Sequence, residues 1–368
     1  MTTPWSSSDL ERFEQELPGI LGLSDELCAE SCISHFASEE YRKAIKLLLS
    51  SMPRDPRFED AFFSRHPQPP MELPFEVIEF WEMILNTVHL ADPARYGSMH
   101  KGTPFYFLAM ASFVVGDFER ALFYLDSAID EDCRTHGPGW HRLPAGLFIL
   151  MDDADPAQAG ILQARWMLQA FQNAARIVER AGGSAVSLEK YRQALVRQAI
   201  DQQPELRSVV TAILSFVLEY PNRKSMLDLA TAGAATGEAF LLHLLKGAVI
   251  FETLLAQSPQ GIEIATARGA KRLTLGDLLS DSRLFAPLGF KKTPQGQGSL
   301  AFEDVLPRVA EMKSQARMFP EVAALTAWGL RSVTGHRLTW RHHPSSVEYE
   351  MLFAYVHGAI NLAISALF

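Results

Sequence analysis

The amino-acid sequence predicts an all-α protein, on three observations. Apolar residues recur at helical spacing in segment after segment, as in Tyr41, Ala44, Ile45 and Leu48. Helix start and stop residues punctuate those segments. Ser345-Ser346-Val347-Glu348 reads as a capping box, and Gly182-Gly183 as a stop. No run alternates apolar and polar residues as a half-buried strand does.

Taken in order, Ser8-Asp9 caps a first short helix ending before Pro18, and Ser24-Asp25 opens a second ending near Phe36. A third runs from Ser38 to Ser51. Pro53 to Pro74 is proline-rich and reads as a linker, partly packed through Phe58, Phe62 and Phe63. Residues 104–130 predict two antiparallel helices joined by Gly116-Asp117, with small and apolar residues along the seam (Leu108, Ala109, Ala111, Phe113, Ala121, Leu122). Pro156 to about Arg180 predicts a long amphipathic helix with Leu162, Trp166, Ala170, Phe171 and Val178 toward the core. Ser187–Gln202 and Pro204–Leu218 follow. Turn formers and small residues from Tyr220-Pro221-Asn222 to Gly237 predict a domain boundary. Gly237–Gln257 then opens a C-terminal bundle. It continues through a basic segment at Arg268–Arg272, a loop with Lys291-Lys292, helices near 302–316 and 320–334, and a final helix.

Length and composition bound what this architecture does. The 368 residues suit about two domains. Hydrophobic content of 48% with 21% charged residues supports a sizeable core. Met1-Thr2-Thr3-Pro4-Trp5 lacks the basic and apolar regions of a secretory signal. The apolar run Phe240–Phe251 is short, contains His243 and Lys246, and reads as a buried helix, so no membrane association is expected. Three cysteines form no paired framework and suit a reducing cytoplasm. A net charge of −9 argues against non-specific coating of nucleic acid. The charge is unevenly placed, however. Residues 261–345 hold 12 Lys and Arg against 7 Asp and Glu, a local +5 that suits a polyanionic substrate.

The residues with the strongest chemical reading are Arg331-Ser332-Val333-Thr334-Gly335-His336. Arg331 is a permanent cation with five donors, suited to a phosphate. His336 exchanges a proton near neutral pH. Pro320 suits the start of the apolar helix leading to them, and Gly335 suits its exit. In an unbroken helix, residues five apart point about 140° apart. A helix ending at Gly335 lets His336 turn back toward Arg331. The competing reading gives Arg331 a carboxylate partner and makes His336 a helix cap.

This stretch, an apolar helix, Arg, small polar residue, His, short loop and final helix, resembles the HEPN domains, whose motif is R-x4-6-H. The resemblance covers roughly the last 50 residues and extends back toward residue 237. Ser332 stands where many active members carry Asn, Asp or His. Residues 104–130 resemble a tetratricopeptide repeat, and residues 24–51 the same unit more weakly, through Glu40-Tyr41-Arg42-Lys43-Ala44-Ile45. The resemblances imply tetratricopeptide-like helical hairpins over 1–150, further helices packing on them over 151–220, and a HEPN-like helical bundle over 237–368. They also imply a metal-independent RNA endonuclease of HEPN type, a toxin or antiviral defence activity in bacterial stress or phage infection. Arg331 and His336 would be catalytic and Ser332 supporting, with Arg337, Arg341, Lys271 and Arg272 touching RNA. No cofactor is expected. A homodimer would form through the C-terminal bundle, and a protein partner would bind the N-terminal repeats. The alternative is a catalytically silent adaptor that binds a protein through its repeats and dimerises through the bundle.

Other chemistry in the chain is weaker. Cys28 and Cys32 sit four apart and read as core residues. Cys133, His136 and His141 offer three metal-ligating residues in a short span, one fewer than a closed zinc site needs. His342 and His343 read as solvated. No Walker A or dinucleotide fingerprint is present, and a Ser–His–Asp hydrolase lacks its strand–turn–helix frame.

Overall fold

The computed structural model describes residues 74–91, 93–98, 100–154, 161–203, 206–229, 237–269, 273–289, 302–314, 318–334 and 344–368. Among these, every regular element is a helix and none is a strand. The weaker repeat at 24–51, the earlier helices, the proline-rich linker, Cys28 and Cys32 lie outside the described residues. The chain divides into two compact units, Met1–Trp166 and Met167–Phe368.

In the first unit, α1 (Pro74–Ala91), α2 (Pro93–Ser98), α3 (Gly102–Val114) and α4 (Phe118–His136) lead through a 3-10 turn, Gly137–Arg142, into α5 (Pro144–Ile149). The hairpin of α3 and α4 forms where the small residues foretell it. Ala109, Ala111, Ala121 and Ala128 are fully buried along its seam with Leu108, Leu122, Leu125 and Ile129. Small side chains let the two helix axes approach, and the leucines fill what remains. The turn at Gly116-Asp117 follows from local chemistry. Gly116 takes φ of 81°, which only glycine adopts without strain. Its N–H donates to the Phe113 carbonyl at 3.1 Å, and that of Asp117 donates to Ser112 at 3.0 Å, so two otherwise unpaired helix-end carbonyls are satisfied. The Asp117 side chain then caps α4 by accepting from the Arg120 N–H at 3.1 Å. Glu82 of α1 accepts from Arg120 Nε (3.0 Å) and from the Tyr124 hydroxyl, which ties α1 to α4.

The second unit is built on α9 (Arg207–Leu229), α10 (Glu238–Gln257), α15 (Phe319–Thr334) and α16 (Ser346–Leu367). Between them lie α11 (Pro259–Arg268), α12 (Leu275–Leu279), α13 (Ser282–Phe285) and α14 (Phe302–Ser314). The helix α6 (Ile161–Arg180) carries residues of both units. It is followed by α7 (Leu188–Lys190), a π-helical stretch at Tyr191–Arg197, and α8 (Gln198–Asp201).

The helices α10 and α16 are long and apolar enough to cross a membrane by length and composition. Here they are core helices. Phe240, Leu244, Phe251 and Leu254 of α10 are buried, as are Leu352, Phe353, Val356 and Ile360 of α16. They cross closely at Gly247, where a Cβ would stand 2.5 Å from Val356 Cγ1 and 2.6 Å from Phe216 Cζ. The capping box at the start of α16 is present in full, with Ser345 accepting from the Glu348 N–H and Glu348 accepting from the Ser345 N–H.

Two expectations need correction. The helix α9 runs through Pro221 to Leu229 instead of ending near Leu218. Proline removes one N–H, but surrounding contacts outweigh that loss. Tyr220 donates to Glu350 at 2.9 Å and stacks 3.9 Å from Phe353, while Glu219 takes both Arg223 and Lys246 as partners. Trp166 is 45% exposed instead of buried, lying against Phe113 with ring centroids 5.9 Å apart. In α16, Tyr355, Ala359, Ala363, Ile364 and Leu367 are all buried within the chain.

Candidate functional site

Arg331 occupies the last turn of α15 and is partly buried, with 29% of its side chain exposed. The helix reaches it because Val322, Ala323, Ala324, Ala327 and Leu330 form a buried face that seats α15 in the unit. Its Nε–H donates to Glu252 Oε2 of α10 at 2.6 Å. The other oxygen, Glu252 Oε1, accepts from the Leu275 backbone N–H at 3.1 Å, at the first residue of α12. Glu252 thus bridges a helix N-terminus and a guanidinium, both favourable partners for a carboxylate.

The pair forms one wall of an open cleft of about 590 Å³ between α10 and α11, lined also by Val249, Thr253, Gln257, Ile262 and Thr266. Among the described lining residues only Glu252 and Arg331 carry charge. The guanidinium uses Nε for Glu252, and among the described residues its Nη atoms make no further hydrogen bond. Two Nη groups side by side are the fork with which arginine grips a phosphate. Ser332 follows, half-buried. His336, Arg337, Arg341, Lys271 and Arg272 lie outside the described residues, as do His342, His343 and the Lys291-Lys292 loop. The neighbouring Arg268, part of the basic segment, is matched by Asp277 at 3.5 Å and Asp281 at 3.6 Å.

A different chemistry lies deeper in the same unit. His243 of α10 is held between α9 and α16. One ring nitrogen, Nε2, lies 2.8 Å from the Phe216 carbonyl, which can only accept, so Nε2 carries the proton. The other, Nδ1, then accepts from the Tyr349 hydroxyl at 2.8 Å. Burial holds the His243 ring neutral by lowering its pKa to about 3. His357 of α16 stacks on Phe353 with centroids 5.6 Å apart, and burial lowers it to about 4. Among the described residues its Nδ1 has no hydrogen-bond partner, and neither has the side chain of Asn361 one turn later. None of these groups is among the described residues that line the cleft.

In the first unit the cysteine-and-histidine cluster is rearranged. His136 stands with His100 and Asp132, with one potential ligand atom from each within 4.8 Å of the others. Cys133 and His141 are not part of that group, and His141 Nδ1 is engaged at 2.8 Å with the Pro138 carbonyl. Burial, then the adjacent Glu131 charge, raises the Asp132 carboxyl to about 7. One signal for Asp132 and His136 was present in the sequence: they stand four apart on one helix face. His100 was beyond reach, because only the hairpin brings it back onto α4.

Comparison of the chain with protein-family models, with curated proteins and with solved structures finds no match in any of the three.

Proposed function

We propose that the C-terminal unit is a metal-independent RNA endonuclease of HEPN type, acting in bacterial stress response or phage defence. The observation that carries this reading is the placing of Arg331. It ends an apolar helix at the wall of an open cleft, anchored through Nε by Glu252 and with its Nη donors unengaged among the described residues. Those donors would hold the scissile phosphate and stabilise the charge that develops on it. His336, five residues on, would move the protons. The ribose 2′-hydroxyl gives up its proton and attacks phosphorus. The bond to the 5′ oxygen breaks, and that oxygen takes up a proton. The products are a 2′,3′-cyclic phosphate and a 5′-hydroxyl.

One Arg331–His336 pair supplies a single proton carrier, whereas the reaction moves protons at two oxygens. A two-fold dimer supplies the second copy. With the apolar residues of α16 covered, the contact falls to exposed apolar side chains of α10 and α11: Leu242 and Val249, two turns apart on α10, and Ile262 on α11. Localisation in the cytoplasm and a protein partner on the N-terminal hairpins belong to the same proposal.

A second reading has its own support. The 2.6 Å bond between Arg331 and Glu252 also suits a purely architectural arginine in a silent adaptor that binds a protein partner. Incubating the purified chain with mixed RNA in excess chelator separates the two. Cleavage leaving cyclic phosphate ends, and lost in both Arg331→Ala and His336→Ala, supports the nuclease. Intact RNA in every sample supports the adaptor.

A further inference from the structure

We infer that the first unit binds a first-row transition-metal dication, with Zn2+ the expected occupant, through His100, Asp132 and His136. The three come from two elements that the hairpin brings together. His100 lies just before α3, while Asp132 and His136 are one turn apart on the last part of α4. The His100 Nε2 and Asp132 Oδ1 atoms are 3.7 Å apart, and the three ligand atoms lie within 4.8 Å of one another. Two ligands on a tetrahedral zinc, each about 2.0–2.1 Å from it, are roughly 3.4 Å apart. Closure therefore asks for side-chain rotation of about an ångström, and His136 is exposed and free to make it.

Four further observations point to a ligand. The carboxylate of Asp132 is buried, at 6% exposure, and among the described residues no Lys or Arg pairs with it. A buried carboxylate without a cation is costly. Its neighbour Glu131 is the one neutralised, by Lys101 Nζ at 2.7 Å and by Arg134. The far ring nitrogen of His100, Nδ1, lies 3.0 Å from Thr135 Oγ1. With the hydroxyl accepting that proton, Nε2 presents its lone pair toward Asp132, the outer-sphere hydrogen bond that metal-bound histidines carry. Lastly, Gly102 leaves the space open: a Cβ there would stand 2.6 Å from Asp132 Oδ1 and 2.7 Å from His100 Nε2.

Two imidazoles and one carboxylate suit zinc and its neighbours rather than magnesium or calcium, which prefer all-oxygen shells. Three protein ligands leave a position for water or another donor, the pattern of exchangeable and catalytic centres rather than closed structural ones.

The test uses the full chain, stripped with chelator and dialysed, then titrated with Zn2+ by calorimetry and with Co2+ by visible absorption. Wild type takes up one equivalent and gives the d–d bands of four- or five-coordinate Co2+. His100→Ala, Asp132→Asn and His136→Ala each weaken binding by at least about tenfold, while Cys133→Ser and His141→Ala leave it unchanged. His136 is exposed, so its alanine variant keeps the fold, which circular dichroism verifies. Equal uptake by wild type and His136→Ala overturns the site, as does the absence of stoichiometric uptake by wild type. Loss of binding in Cys133→Ser, with a thiolate-to-cobalt band in wild type, overturns it in favour of the cysteine cluster.

Discussion

Substituting His357→Phe isolates one proton in the acid sensitivity of the second unit. His357 is buried, with Nδ1 unpartnered, and its pKa falls to about 4 in the fold. An unfolded histidine titrates near 6.5. The folded value lies below the unfolded one, so between the two the unfolded chain binds the extra proton and acid favours unfolding. The stability that depends on the neutral ring is fully present above about pH 6.5 and is lost progressively down to about pH 4. At pH 5 the two values imply a loss of about 2 kcal/mol relative to pH 7.5. Phenylalanine fits the stacked position beside Phe353 and cannot titrate. Equilibrium urea unfolding, run on both proteins at pH 7.5 and pH 5, reads the difference. Wild type should lose about 2 kcal/mol more than His357→Phe over that interval. Protonation of carboxylates contributes equally to both and cancels. Identical losses would refute the claim that a buried neutral ring opposes protonation here.

Gly247→Ala forces a Cβ against Val356 and Phe216 and should cost about 1–3 kcal/mol by overpacking, visible as a lowered urea midpoint. Asp117→Ala removes the cap of α4 and should cost about 1 kcal/mol, with faster amide exchange at the α3–α4 turn. Glu252→Gln weakens the hold on Arg331 and on the start of α12, so the fold should lose on the order of 1 kcal/mol while RNA cleavage falls. Cleavage that rises in Glu252→Gln would mean that the carboxylate blocks the arginine rather than positions it.

What was legible in the sequence was local. The Gly116-Asp117 turn and the Ser345–Glu348 box are fixed by chemistry within a few residues, and both formed as expected. The seam alanines of α3 and α4 were readable for the same reason: small residues at helical spacing are needed only where helices approach closely. Long-range choices were not legible. Pro221 is a helix breaker by propensity, yet the aromatic stack of Tyr220 on Phe353 and the Glu219 ion pairs carry α9 past it. Trp166 falls on the apolar side of its periodic pattern, but its ring covers Phe113 from outside. At the candidate site, the position of Arg331 at a helix end was readable. Its partner Glu252, 79 residues earlier, was not, because no local spacing links them. The histidine of the proposed metal site on α3's leading edge was hidden for that same reason.

The proposed nuclease activity depends most directly on Arg331 and His336 acting together on RNA. The direct measurement is cleavage of a defined single-stranded RNA in excess EDTA, comparing wild type, His336→Ala and an equimolar mix of Arg331→Ala with His336→Ala, with product ends identified by mass spectrometry. Cyclic phosphate ends are expected from wild type, none from His336→Ala, and reduced cleavage from mixed subunits that share a site. Activity that requires magnesium or manganese, or that survives undiminished in His336→Ala, would contradict the proposal.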